Sequence, residues 1–204
     1  MGTVLLARHG QSEANVGEPQ LCGVRDVPLT EKGQVQSQKL AQRLAGKAVT
    51  VVYASDLCRS SEMAQIVADE CGVQVFVDPC LREVNYGEWE GQASRDLAER
   101  FPELWRCRLE EPWRFCAPGG ERFTECQDRI AMTFSKITRN HGAETILIVG
   151  HHMVNRLLLC HLSGMPMSRY RDYHQDNGCL NILKLENERV VLSSVNDTCH
   201  LKVE

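Results

Sequence analysis

The sequence predicts an α/β fold, a three-layer α/β/α sandwich around a mostly parallel sheet with a small inserted cap. Short apolar runs of strand length alternate along the chain with longer segments of helical character, which is the pattern of successive βαβ units. Residues 84–120 interrupt this alternation with a cluster of aromatic residues and prolines. The chain has 204 residues, enough to bury one sizeable core. We therefore predict a single domain over residues 1–204.

The strands are predicted from short apolar runs rich in β-branched residues. Four such runs are predicted to form the body of the sheet, at 3–7, 49–54, 73–77 and 145–149. Two further runs, 179–185 and 190–195, are predicted to form a closing hairpin that turns at Asn187 and Glu188. The first four runs are separated by intervening segments long enough for crossovers, which favours parallel pairing among them.

The helices are predicted from their start and stop signals. Thr30 is a suitable N-cap for a helix that reaches Leu44 and stops at Gly46. A second helix is predicted to start at Ser60 or Ser61 and to end near Gly72, and a third covers residues 153–162.

Residues 84–120 are predicted to form an insertion that folds over one edge of the sheet as a cap. The segment contains Trp89, Trp105 and Trp113, together with two phenylalanines and three prolines. A long surface loop with a small satellite core is the alternative, and both are compatible with the same fold. Only the cap gives the segment a role in substrate choice.

Composition excludes several classes of function. The formal net charge is −4 and no lysine- or arginine-rich run stands out, which disfavours a nucleic-acid partner. The amino terminus lacks the pattern of a signal peptide, and no apolar run approaches the roughly 20 residues of a membrane span. We therefore expect a cytoplasmic protein with no membrane partner. The ten cysteines include no CxxC pair, so we predict reduced thiols and no metal site.

Histidine and arginine residues stand at the ends of predicted strands. Arg8 and His9 directly follow the first strand, His151 and His152 follow the fourth, and Arg59 comes shortly after the second. In open α/β sheets, ligands bind beyond the carboxyl ends of the strands, and the planar guanidinium group suits a phosphoryl ligand. A single histidine at a strand end is more often structural, and an isolated Arg59 would by default face solvent. Their joint placement favours one phosphate site.

The predicted site also needs groups that bind the anion and a group that donates a proton. His151 precedes a helix whose amino-terminal N–H groups could bind an anion. A departing alcohol needs a proton, and Glu83, which follows the third strand, is the best candidate donor. Glu88 and Glu90 are rivals, and spacing alone does not separate the three.

An ordered set of short motifs resembles the signature of the histidine phosphatase (phosphoglycerate mutase-like) superfamily. The motifs are Arg-His-Gly-Gln-Ser-Glu-Ala-Asn at 8–15, the segment 23–33, the segment 55–59, the segment 81–91, Gly-Gly-Glu at 119–121 and Val-Gly-His at 149–151. They span about residues 3–200 in the order and spacing of the family. The stretch Tyr-Gly-Glu-Trp-Glu-Gly at 86–91 resembles the phosphatase branch, which includes α-ribazole phosphatase-like and broad-specificity phosphatases.

The resemblance implies a role for each residue of the predicted site. His9 would attack phosphorus and become phosphohistidine, and Glu83 would first protonate the leaving oxygen and then activate water. The remaining implied phosphate ligands are Arg8, Asn15, Arg59 and His151. His152 stands where the family often has glycine. It could contact the substrate with its side chain or with its backbone amide, and we favour the amide. No cofactor is implied.

The predicted function is hydrolysis of a small phosphorylated metabolite, of the sugar phosphate, phosphoglycerate or α-ribazole phosphate type. A phosphoglycerate mutase is the alternative, although the mutases are longer and carry additional basic residues in their insertion. A non-catalytic phosphate-binding module on the same fold is less favoured, because every expected catalytic residue is present. The sequence leaves the oligomeric state open, a homodimer included.

Overall fold

The computed structural model describes residues 2–186 and 189–202, which form one six-stranded sheet with helices on both of its faces. The strands are β1 (Gly2–Arg8), β2 (Val49–Ala54), β3 (Val75–Val77), β4 (Thr145–Gly150), β5 (Leu180–Glu186) and β6 (Arg189–Asp197). The α-helices are α1 (Glu31–Leu44), α2 (Cys58–Cys71), α3 (Ser94–Arg100), α4 (Pro102–Glu110), α5 (Phe123–His141) and α6 (His152–Ser163). The predicted α/β class is confirmed. The turn predicted at Asn187 and Glu188 lies outside the described residues.

The sheet is mostly parallel, as predicted. Its strand order is β3-β2-β4-β1-β5-β6. The neighbours among β1 to β4 pair in parallel, whereas β5 is antiparallel to β1, and β6 is antiparallel to β5. The carboxyl ends of β2, β4 and β1 therefore lie side by side at one edge of the sheet.

Helices cover both faces of the central strands. Along β1, Val4 and Leu6 belong to the apolar cluster that contains the buried faces of α5 and α6. Leu5 and Ala7 belong to a second cluster, formed with α1 and α2 on the opposite face. Because both faces are buried, β1 is a continuous apolar run rather than an alternating one.

Two element boundaries differ from the sequence prediction. Helix α2 begins at Cys58, earlier than the predicted serine start, because the carboxylate of Asp26 caps it from a distant loop by accepting the Cys58 N–H at 2.8 Å. Strand β3 begins only at Val75. Gly72 ends α2 in the left-handed conformation, and the Val73 N–H still donates to the helical carbonyl of Ala68 at 3.0 Å.

The longest helix, α5, was not predicted. Its buried residues recur at helical spacing and fix its inner face; they are Phe123, Cys126, Ile130, Thr133, Phe134 and Ile137. Within the described residues, no helix has both the length and the apolar character that crossing a membrane would require.

The segment 84–120, called the cap segment below, packs as a continuation of the main core. It contains α3 and α4, and its Trp89, Leu97 and Phe115 are almost fully buried in the same apolar cluster as α5 and α6. Trp113 is 45% exposed. The aromatic residues therefore do not form the separate satellite core of the loop alternative.

The loop that follows β1 rests directly on the first turn of α1, which makes Gly33 a test of this packing. A Cβ added at Gly33 would lie 2.0 Å from the backbone oxygen of Gln11. Helix propensity alone would make Gly33→Ala stabilising by up to about 1 kcal/mol. We expect the clash to dominate and to lower the free energy of unfolding by about 1–3 kcal/mol, measured by urea denaturation.

Gln38→Ala provides the matched control, because Gln38 is exposed on the same helix. It is expected to change the free energy of unfolding by less than about 0.5 kcal/mol. A stabilised Gly33→Ala protein would contradict the close packing of the loop on α1.

Candidate active site

The parallel pairing of β1 with β4 brings His9 and His151 together. Arg8 is in register with Gly150, and the His9 N–H donates to the Gly150 carbonyl at 3.2 Å. The two imidazole rings meet edge to face, with their centroids 5.2 Å apart. Both histidines are buried.

His9 is held in one tautomer. Its Nδ1 lies 2.7 Å from the carbonyl oxygen of Gly10, and because a carbonyl can only accept, Nδ1 carries the hydrogen. Burial, with the nearby charges of Arg8 and Arg59, holds the pKa of His9 well below its ordinary value. The ring is therefore neutral at neutral pH, and Nε2 has a free lone pair. This is the state that a nucleophilic histidine needs.

His151 lies behind the cleft wall rather than on it. It is fully buried, and its Nε2 lies 2.7 Å from the hydroxyl oxygen of Ser55, which directly follows β2. Its Nδ1 is buried and has no hydrogen-bond partner in the described residues. Burial and the charge of Arg59 hold the pKa of His151 well below its ordinary value. The ring is neutral and retains one unpaired nitrogen.

Two arginines are fixed by backbone carbonyls rather than by carboxylates. Arg59 is 1% exposed, and its guanidinium donates to the carbonyl of Arg25 at 2.8 Å and to that of Gly23 at 2.6 Å. Arg8 donates to the carbonyl of Gln175 at 2.6 Å. Burial lowers the pKa of Arg8 to about 10, so this group is still charged at neutral pH. Carbonyl dipoles orient both groups without neutralising them.

Glu90, one of the rival proton donors, holds the loop that supports Arg59. Its carboxylate accepts the N–H groups of Gly23, Val24 and Arg25, at 2.9 to 3.3 Å, as well as that of Tyr86 at 2.9 Å. Its carboxylate oxygens are thus occupied by four backbone donors. Glu88 is exposed. Neither residue lines the cleft in which Arg8 and His9 lie.

Glu83 lines the cleft and binds the amino terminus of α6. Its carboxylate is buried and accepts the N–H groups of Met153 at 2.8 Å, Val154 at 3.0 Å and its neighbour Val84 at 3.0 Å. The expectation that this helix end offers free amides to a ligand is thus wrong for two of them. An anion does occupy the helix terminus, but it is the protein's own carboxylate.

Asn15 is oriented by hydrogen bonds from Ser12 and Asn177. Its Oδ1 accepts the N–H and the hydroxyl of Ser12, both at 3.0 Å, and the side-chain amide of Asn177 at 2.9 Å. With Oδ1 occupied, the Nδ2 of Asn15 is the group left for a ligand. Asn177 also donates to the carbonyls of His9 and Gly10, at 3.4 and 3.3 Å. No motif in the sequence indicates this role.

A cleft with a volume of about 360 Å³ lies at this edge of the sheet. Its wall includes the predicted residues Arg8, His9, Asn15, Arg59, Glu83 and His152. Burial and the charges of Arg8 and Arg156 hold the pKa of His152 well below its ordinary value, so its ring adds no positive charge at neutral pH. The cap segment contributes Tyr86, Ser94 and Arg108. A cleft of this size suits a small anionic molecule.

Metal coordination is not indicated by the side chains near the cleft or elsewhere in residues 2–186 and 189–202. In these ranges, no three His, Cys, Asp or Glu side chains come together as a metal ion would require.

Comparisons with known proteins show which family and which solved structures this chain resembles. The model of the histidine phosphatase superfamily (branch 1) matches residues 4–198. Phosphoserine phosphatase 1 of Hydrogenobacter thermophilus is 31% identical over 202 residues, which is 98% of this chain and 95% of the relative. A probable phosphoglycerate mutase of Yersinia enterocolitica is 32% identical, over 97% of this chain and 94% of the relative. The crystal structure of the α-ribazole phosphatase of Shigella flexneri superposes with a TM-score of 0.86 at 28% identity, covering 96% of each chain.

The two buried histidines, His9 and His151, and the half-buried His152 predict a specific dependence of stability on pH. In the unfolded chain a histidine takes up a proton near pH 6.5, whereas His9, His151 and His152 resist protonation in the folded state. The unfolded state then binds more protons, so the free energy of unfolding falls as the pH drops below about 6.5. We expect His152→Gln to reduce this slope by up to about 1.4 kcal/mol per pH unit.

The measurement is urea denaturation of the wild-type and variant proteins at several values between about pH 8 and pH 5.5. Contributions from carboxylates cancel in the comparison. If the plots of the free energy of unfolding against pH run parallel for the two proteins, His152 takes up its proton equally well in the folded and unfolded states.

Proposed function

Because this chain belongs to the histidine phosphatase superfamily (branch 1), we propose that it is a phosphatase that hydrolyses small phosphomonoesters through a phosphohistidine at His9. The observation that carries the proposal is the state of His9. It is a neutral ring with its hydrogen fixed on the Gly10 side, beside the guanidinium groups of Arg8 and Arg59, which form no ion pair with a carboxylate in the described residues. That arrangement supplies a nucleophile and an anion site together.

In the first step, the lone pair on Nε2 of His9 attacks phosphorus. The bond between phosphorus and the ester oxygen breaks, and Glu83 transfers its proton to that oxygen, so the alcohol leaves neutral. Glu83 is supported in this role because it lines the cleft, while Glu88 and Glu90 do not.

The transferring phosphoryl group develops charge on its three non-bridging oxygens. We propose that Arg8 and Arg59 bind these oxygens, joined by the Nδ2 of Asn15. We further propose that the Ser55 hydroxyl, 2.7 Å from Nε2 of His151, donates to that nitrogen. Nδ1, which has no partner in the described residues, would then carry the ring's hydrogen and donate it, from behind the cleft wall, to the phosphoryl group. His152 borders the same group at the cleft wall.

In the second step, water attacks the phosphohistidine. Glu83, now a carboxylate, accepts a proton from this water, and the bond between phosphorus and His9 breaks to release inorganic phosphate. The Glu83 carboxylate retains its hydrogen bonds to Met153 and Val154 throughout, which fixes it for both proton transfers. No cofactor takes part in either step.

We propose that the cap segment closes over this site within a single domain of residues 1–204. The mutase alternative requires a second cationic cluster to hold a bisphosphorylated intermediate. In the described residues of the cleft wall, the cap segment supplies one cation, Arg108, which favours hydrolysis. The cytoplasmic location and the oligomeric state stay predictions.

The nucleophile is tested by His9→Ala. We expect the variant to fold and to lose all measurable release of phosphate from p-nitrophenyl phosphate, because no neighbouring group can replace a covalent nucleophile. Intact-protein mass spectrometry after rapid quenching should show one added phosphoryl group on the wild type and none on the variant. Substantial turnover by a variant with a native circular dichroism spectrum would exclude His9 as the nucleophile.

The proton donor is tested by Glu83→Gln with two leaving groups. An alkoxide leaves poorly without a proton, whereas nitrophenolate leaves readily. Since general acid catalysis is worth about 10²- to 10⁴-fold in rate, we expect most of that loss for glycerol phosphate and much less for p-nitrophenyl phosphate. Phosphoenzyme formation should be measured by rapid quench, because slow hydrolysis of the phosphoenzyme could mask the difference.

Two matched variants separate the rival carboxylates. Glu88→Gln should be neutral, since Glu88 is exposed. Glu90→Gln should slow the reactions of both substrates by the same factor, because the substitution loosens the loop that holds Arg59. A loss specific to glycerol phosphate in either of these variants, but not in Glu83→Gln, would reassign the proton donor.

A further inference from the structure

The loop that carries Glu83 is held by side chains rather than by a helix or a strand. Residues 82–86 belong to no regular element. The backbone N–H groups at 84–86 donate to three carboxylates, those of Glu83, Glu90 and Glu121, at 2.9 to 3.4 Å. Since buried backbone groups need partners, a loop without a ladder of its own is fixed by the side chains that supply them. The placement of Glu83 therefore depends on groups outside the cleft.

Arg129, on helix α5, binds this loop. Its Nη1 donates to the carbonyl of Arg82 at 3.1 Å, and this carbonyl belongs to the peptide group that joins Arg82 to Glu83. Its Nε and Nη2 donate to the two carboxylate oxygens of Glu121, both at 2.8 Å, which is the bidentate geometry of a strong ion pair. Both side chains are half-buried, where such a pair is screened less than at the surface.

The guanidinium group of Arg129 is fully occupied by the protein. Two further N–H groups donate to the carbonyl of Cys80 at 2.7 Å and to the sulfur of Cys126 at 3.4 Å, which accounts for all five donors of a guanidinium. Arg129 also lies outside the cleft wall, unlike Arg8 and Arg59. Its contacts therefore indicate a role toward the loop rather than a role in binding phosphate.

Glu121 holds the other side of the loop. Its Oε2 accepts the N–H of Asn85 at 3.4 Å, and its own N–H donates to the carbonyl of Asn85 at 2.8 Å. The preceding Gly120 allows this approach, because a Cβ there would lie 2.7 Å from the Asn85 carbonyl oxygen. The Gly-Gly-Glu motif at 119–121 thus packs against the loop. The ion pair fixes the backbone both before and after Glu83.

We propose that Arg129 and Glu121 are positioning residues, which keep the Glu83 carboxylate where it can protonate the leaving oxygen. This inference rests on the proposed phosphatase function and deepens it. The carboxylate itself is bound by the N–H groups of Met153 and Val154 on α6, whereas the ion pair fixes its backbone to α5. A catalytic group displaced by about 1 Å can cost about 100-fold in rate, so both attachments matter.

The test begins with Arg129→Met, which removes all five donors and keeps an apolar stem. Because an alkoxide needs a proton and nitrophenolate does not, a displaced Glu83 should affect glycerol phosphate selectively. We expect phosphoenzyme formation, measured by rapid quench, to fall about 10- to 100-fold with glycerol phosphate and less than about threefold with p-nitrophenyl phosphate. Arg139→Met is the matched control, since Arg139 is exposed on the same helix and donates to Ser135 of that helix; it should change neither rate.

A double-mutant cycle shows whether Arg129 acts through Glu83. In the Glu83→Gln background, Arg129→Met should change phosphoenzyme formation from glycerol phosphate by less than about twofold, because the proton donor that it positions is already gone. Arg129→Lys keeps the charge beside Glu121 but replaces the planar fork by a single nitrogen. It should restore part of the rate with glycerol phosphate. A residue that merely supports the fold would give an additive loss on both substrates.

The outcomes distinguish this inference from the proposed function. If the wild-type protein forms no phosphoenzyme that depends on His9, the phosphatase and this inference both fail. If it does, and Arg129→Met slows both substrates equally or adds its full effect to that of Glu83→Gln, the ion pair serves only the fold and the inference alone is overturned. If circular dichroism shows that Arg129→Met does not fold, the selective loss on glycerol phosphate is expected in Arg129→Lys and Glu121→Gln, and its absence from both overturns the inference.

Discussion

The parallel pairing of β1 with β4 is the constraint on which the site depends. The strands are far apart in sequence, and their register sets Arg8 opposite Gly150. His9 and His151 are the first residues after the two strands, and their imidazole rings are in contact. Strand β2 pairs with the other side of β4, so Ser55 reaches His151 from the next strand end. A shift of one residue in this register would turn the histidines to opposite faces.

At the candidate site, Arg8 and Arg59 carry positive charge that no carboxylate of residues 2–186 or 189–202 pairs with. Carbonyl oxygens of Gly23, Arg25 and Gln175 offset part of the desolvation cost of Arg59 and Arg8. A carboxylate would offset more, but it would also cancel the field. The positive field that remains has two consequences. It would attract a phosphoryl group, as proposed, and together with burial it lowers the pKa of His9 and so keeps the ring unprotonated. The same positive charge therefore favours both anion binding at the site and the neutral, nucleophilic form of the His9 ring.

The strand ends could be predicted from sequence because local pattern determines them. The apolar runs predicted the positions of β1, β2 and β4 to within about one residue. In a parallel sheet, the residues that follow these strands lie at the same edge. The periodic apolar positions of α5 were also readable, from Phe123 to Ile137. Their spacing is helical, although the start signals that predict other helices do not precede this segment.

Other features depend on contacts that no local pattern encodes. Glu83, Glu88 and Glu90 are equivalent by spacing, and only the fold shows that Glu90 clamps a loop while Glu83 reaches α6. Asn177 comes from a turn far along the chain, and its side chain orients Asn15. Such roles arise from tertiary proximity, so sequence reasoning could supply the candidates but not the choice among them.

Helix α6 links the two halves of the proposed chemistry. Its N-cap residue is His151, and the N–H groups of Met153 and Val154, in its first turn, hold the Glu83 carboxylate. The second histidine is therefore the N-cap residue of α6, and the proposed proton donor is hydrogen-bonded to the same helix. In the proposed first step, the charge that remains on Glu83 after its proton leaves with the alcohol is already faced by these N–H groups. The carboxylate needs no rearrangement before it accepts a proton from water, so the second step can begin from the geometry in which the first one ended.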